Sequence, residues 1–84
     1  MVTLEQIKQF QAICKLILSI ETKPNSMLNY AKAYAKAGLI LTSSEGIYSQ
    51  LLYISSNIST WRGDLARTKK KEIKQLLATL KKGR

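Results

Sequence analysis

Residues 61–84 read WRGDLARTKKKEIKQLLATLKKGR, and the rest of the chain must build around this stretch. At about 100° per residue, Leu65, Ala66, Ile73, Leu76, Leu77 and Leu80 fall on one helical face. Arg67, Lys70, Lys71, Lys74 and Lys81 fall on the opposite side. Asp64 stands in the first turn, where the helix dipole favours a carboxylate, and Ser59 or Thr60 can cap the start. The spacing predicts a basic amphipathic helix from about residue 60 to 82, with an apolar face that other helices must cover. Lys69 interrupts that face, so either the helix leaves the bundle there or Lys69 snorkels.

Working outward, Ile47, Leu51, Ile54 and Ile58 recur four and three residues apart and predict a core helix over 43–58, with Thr42 and Glu45 as its capping box. Thr3 and Gln6 form another capping box. After it, Leu4, Ile7, Phe10, Cys14 and Ile17 predict a helix over 3–21, which Lys23-Pro24-Asn25-Ser26 breaks. Ser26 can cap a shorter helix over 26–38, MLNYAKAYAKA, that stops at Gly38 in a left-handed conformation. No segment alternates polar and apolar residues over strand length. The fold expected is all-α: one domain over 1–84, a small bundle of about four helices. A chain of 84 residues buries only about 60–65% of its unfolded surface. That marginal size and the apolar connector Leu39–Leu41 make a homodimer a natural extension.

Composition removes several function classes. The chain has no histidine, and Glu5, Glu21, Glu45, Asp64 and Glu72 are scattered singly, which argues against an enzyme, a metal site or a bound cofactor. Gly38, Gly46, Gly63 and Gly83 form no phosphate loop. Cys14, the only cysteine, lies on the apolar stripe between Phe10 and Ile17 and reads as a buried inert thiol. A lone cysteine suits a reducing cytosol, the opening MVTLEQIKQF lacks the early basic cluster of a secretory signal, and the run Leu16–Leu18 is far too short to span a bilayer. The expected location is cytoplasmic, in a host cell.

Charge carries the functional lead. From Arg62 to Arg84 nine basic residues face two acids, a net +7 of the chain's +9. Such a face contacts nucleic-acid phosphates, meets an acidic protein surface, or is simply solvated. Candidate phosphate-binding residues are Arg62, Arg67, Lys70, Lys71, Lys74 and Lys81. A mostly lysine face suits phosphate contact better than base-edge reading. Tyr30, Lys32, Tyr34 and Lys36 form a second candidate, tyrosines among lysines that either stack on bases or are half-buried. A helix-turn-helix is disfavoured, because Tyr34 stands where an alanine is usual and SSEGIYSQLL would make a recognition helix without basic residues. The leucines of the last helix permit anionic-lipid contact but serve a small core more economically.

The run Tyr30 to Ala35 and the stretch LLYISSNISTWRGDLAR carry a resemblance. Asn57, Trp61, Arg62, Gly63, Ala66 and Arg67 resemble the Asn-x-x-x-Trp-Arg-Gly-x-x-Ala-Arg/Lys pattern of small uncharacterised phage and prophage proteins of Gram-positive bacteria. The match covers a little over half the chain. It implies a phage or mobile-element origin and no defined activity. The residues themselves suggest a local role: Trp61 packs back on the preceding helix, Gly63 admits a close neighbour, and Asn57 caps a helix end. Two functions are therefore expected. One is a nucleic-acid-binding accessory or regulatory protein. The other is a protein–protein interaction module for a host or phage protein with an acidic surface.

Overall fold

Thr3 starts the first helix by the expected reciprocal bonds: Gln6 N donates to Thr3 Oγ1 (3.1 Å) and Thr3 N donates to Gln6 Oε1 (2.8 Å). The computed structural model describes residues 2–24 and 26–82; Asn25 of the proline break and the Gly83–Arg84 tail lie outside the described residues. Four helices follow in order: α1 (Leu4–Ser19), α2 (Leu28–Gly38), α3 (Ser44–Ser56) and α4 (Asp64–Lys82). The described residues contain no strand. The chain is an all-helical bundle with a Cα radius of gyration of 12.0 Å, about the value expected for its length.

The helix ends differ from the sequence expectation by a few residues, each for a local reason. α1 stops at Ser19 rather than near Glu21 because Ile20 is already extended (φ −73°, ψ 130°). Lys32 Nζ on α2 donates to the Ile20 carbonyl (2.6 Å), satisfying a group that the ended helix leaves free. Asn29 Nδ2 ties down the connector by donating to Lys23 O (2.8 Å) and Pro24 O (2.9 Å), while Thr22 bonds Asn29 Oδ1. α2 starts at Leu28 with Met27, not the expected Ser26, in the cap position; Ser26 stands one residue earlier, where its Oγ accepts from Leu28 N (3.1 Å). Ser43 rather than Thr42 caps α3, accepting from Gly46 N (3.0 Å). Asn57 closes α3 as expected, with Nδ2 donating to Tyr53 O (2.8 Å).

The core takes residues from every helix: Phe10, Ile13, Cys14 and Ile17 of α1; Ala31 and Ala35 of α2; Ile47, Leu51 and Ile54 of α3; and Ala66, Ile73, Leu76 and Leu80 of α4. α1 packs on α2, α2 on α3, α3 on α4, and α4 returns to α1. Burial pushes the Cys14 thiol up to about 12, which removes it as a nucleophile. Gly38 is not left-handed. It is the last residue of α2, and a Cβ there would stand 2.7 Å from Phe10 Cζ and 3.3 Å from Cys14 Sγ. In the connector that invited a dimer, Leu39 and Leu41 turn onto the core, and Ile40 alone is left 85% exposed. Among the described residues no helix is long and apolar enough to cross a membrane.

Candidate nucleic-acid interface

The last helix begins at Asp64, about one turn later than the sequence suggests. The cause is Gly63, whose φ of +111° belongs to a region that residues with a Cβ rarely adopt. A Cβ added there would meet nothing within 4 Å, so its role is conformational and not the close approach expected. Residues 57–63 consequently form a connector with irregular backbone, and Trp61 and Arg62 sit on it instead of on a helical turn. Trp61 is half-buried and packs on the core; Arg62 is exposed.

Along α4 the helical period separates three strips. Ala66, Ile73, Leu76 and Leu80 face inward and are buried. Arg67, Lys70, Lys71, Lys74 and Lys81 occupy one flank, and Thr68, Glu72, Gln75 and Thr79 occupy the other. The cations thus form a strip about 21 Å long from Arg67 to Lys81 at about 1.5 Å per residue, not a whole outer face. Lys69 stays on the helix and within the bundle: half-buried, it pairs with Glu72 Oε2 across one turn (2.9 Å). That pairing removes Glu72 as a partner for the basic flank. Thr68 and Thr79 bond their own helix, donating to Asp64 O (3.0 Å) and Gln75 O (2.9 Å).

The six candidate residues do not behave alike. Arg62, Arg67, Lys71, Lys74 and Lys81 are exposed, and no ion pair among the described residues engages them. Lys70 is half-buried, and its ammonium donates to Trp61 O (2.6 Å) and Ser59 O (3.3 Å), tying α4 back to the connector. Two cavities lie side by side here. One of about 240 Å³ is lined by Trp61, Arg62, Gly63, Arg67 and Lys70, and one of about 330 Å³ by Arg67, Lys70, Lys71 and Lys74. Arg67 and Lys70 line both, so the two make one trough. Arg62 and Trp61 stand at its head, while Lys81 lies further along the helix.

The tyrosine–lysine set on α2 is not brought together. Tyr34 is half-buried and stacks on Tyr53 of α3 (ring centroids 5.1 Å, interplanar angle 22°), and Lys32 is committed to Ile20 O. Tyr30 remains 65% exposed. Sequence reasoning assigned Trp61 and Gly63 to packing and so missed their part in an open cavity. The adjacent Trp-Arg-Gly was the available signal. Among the described residues no group of three or more His, Cys, Asp or Glu is placed to hold a metal ion. In comparisons with known proteins, no family model, no curated protein and no solved structure matches the chain.

Proposed function

We propose that the protein binds nucleic acid electrostatically along the basic flank of α4, as a small accessory or regulatory protein of a phage or other mobile element. One observation carries this: Arg67, Lys71, Lys74 and Lys81 follow a single helical flank, exposed and unpaired, while the neighbouring acid Glu72 sits on the other flank bound to Lys69. The core anchors the helix, so its backbone is already ordered when these lysines meet phosphates. Each phosphate contact releases condensed counterions, which supplies the affinity. Arg62 at the head of the trough extends the same field. The chemistry is attraction to a polyanion, since lysine, a point charge, makes up most of the flank.

The test is the salt dependence of binding to a labelled oligonucleotide, followed by anisotropy. With about four phosphates neutralised, log Kobs falls against log[salt] with a slope of about −3 for a single strand. The double variant Lys71→Gln, Lys74→Gln lowers that slope in magnitude by about 1.4. No binding at micromolar protein in low salt overturns the proposal. Binding to polyglutamate but to no oligonucleotide reassigns the flank to an acidic protein surface, such as that of a host or phage partner.

A further inference from the structure

The trough on α4 has two chemically distinct ends, and a duplex would use only one of them. We infer that the cavity at Trp61 is a pocket for an unpaired base, so that the ligand of the basic flank is single-stranded nucleic acid. This rests on the electrostatic role proposed for the flank and adds the class of nucleic acid to it.

At the end lined by Arg67, Lys70, Lys71 and Lys74, the exposed cations Arg67, Lys71 and Lys74 suit a sugar–phosphate backbone. At the other end, Trp61 and Gly63 join Arg62, Arg67 and Lys70 around about 240 Å³. Base stacking on an aromatic ring beside a cationic groove is the general device of single-strand binding, since every base offers a π face. In a duplex those faces are covered by neighbouring base pairs and are reached only by extruding the base.

The pocket is also held in shape. Trp61 packs on the core and is left half-buried. Lys70 grips the backbone on either side of Thr60, through Ser59 O and Trp61 O, and is a positioning residue for the indole. Gly63 leaves the mouth open on its side, as no atom lies within 4 Å of where its Cβ would be. Arg62 and Arg67, unpaired, can lay a guanidinium against the second face of a base held on the indole. A base in this pocket and its 3′ or 5′ phosphates in the adjoining groove would occupy the trough together.

Trp61 is the only tryptophan in the chain, so its emission reports the pocket directly. The experiment titrates the intact protein with three probes of equal phosphate number: an oligothymidylate, an abasic oligomer of the same length, and a duplex. The oligothymidylate is expected to quench Trp61 and to bind about tenfold tighter than the abasic strand. The duplex and the abasic strand bind through charge without that quenching. Trp61→Phe retains an aromatic face and part of the preference, and Trp61→Ala abolishes it. Equal affinity for the base-bearing and abasic strands, or equal quenching by the duplex, overturns the base pocket while leaving the electrostatic role standing. Failure of all three probes to bind removes both. Because the decisive comparison is made on the unsubstituted protein, it holds even if Trp61→Ala does not fold.

Discussion

The contact between α1 and α2 and the junction between α3 and α4 each turn on a glycine, for opposite physical reasons. Gly38 is helical, and its missing side chain makes room: Phe10 and Cys14 fill the space where a Cβ would stand. Gly63 has open space around it, and what it supplies is a backbone conformation. The first region is closed and apolar. The second is open and basic, and a lysine holds its carbonyls. Packing fixes one end of the molecule; chain conformation and charge fix the other. The fold is anchored at the first and presents its trough at the second.

Gly38→Ala and the bulkier Gly38→Val test the closed end, and Gly38→Val carries the largest effect. A Cβ at 2.7 Å from a fully buried ring forces repacking that costs about 1–3 kcal/mol, partly offset by alanine's better helix propensity of about 1 kcal/mol. For the larger Gly38→Val, β-branching removes that offset, and a loss of about 3 kcal/mol lowers Tm by roughly 12–24 °C in a domain of this size. Combining Gly38→Ala with Phe10→Leu, which takes away the obstructing ring edge, gives a coupling of about 1 kcal/mol or more in denaturant unfolding. Additive effects would break the steric account.

Gly63→Ala tests the open end, and its cost has another origin. With no neighbour to repack, the loss of about 1–2 kcal/mol is backbone strain at φ +111°. It should therefore be additive with Phe10→Leu. Coupling between Gly63→Ala and Phe10→Leu would show that the two ends are not independent. Relief of the strain by a shifted α4 start would also move the Trp61 emission maximum.

Much of the bundle was legible in the chain because its rules are local. The capping box of Thr3 and Gln6, the four-and-three spacing from Ile47 to Ile58, and the sidedness of α4 all follow from periods of about 3.6 residues. The roles of the two glycines did not follow. Whether a glycine answers to a neighbour or to its own φ depends on what arrives from elsewhere in the fold, and Phe10 lies 28 residues before Gly38. Lys69 and Lys70 escaped for the same reason. The sequence marks Lys69 as a break in the apolar stripe and Lys70 as one more cation of the basic side, but their partners come from the fold: one turns to Glu72 and the other to the carbonyls of Ser59 and Trp61. The head of the trough was hidden most completely, because it lies where the chain leaves helical geometry between Trp61 and Gly63.

The smallest expected effect separates two neighbouring lysines. Lys70→Met keeps the aliphatic stem but leaves Ser59 O and Trp61 O to water, which costs about 0.5–1.5 kcal/mol and loosens the connector that carries the indole. Lys71→Met removes an exposed, unpaired charge and changes stability by less than about 0.5 kcal/mol. Binding reverses the order for the salt slope. Lys71 faces solvent and contributes a full counterion term of about 0.7 for a single strand, whereas Lys70 spends two of its three N–H donors inside the protein. Lys70→Met should therefore shift Trp61 emission in the free protein and weaken the preference for base-bearing over abasic strands. Lys71→Met should weaken both strands equally and leave the emission unchanged. If the two substitutions gave the same unfolding midpoint and the same emission, Lys70 would be one more cation of the flank, and the connector would owe its shape to Gly63 and the packing of Trp61 alone.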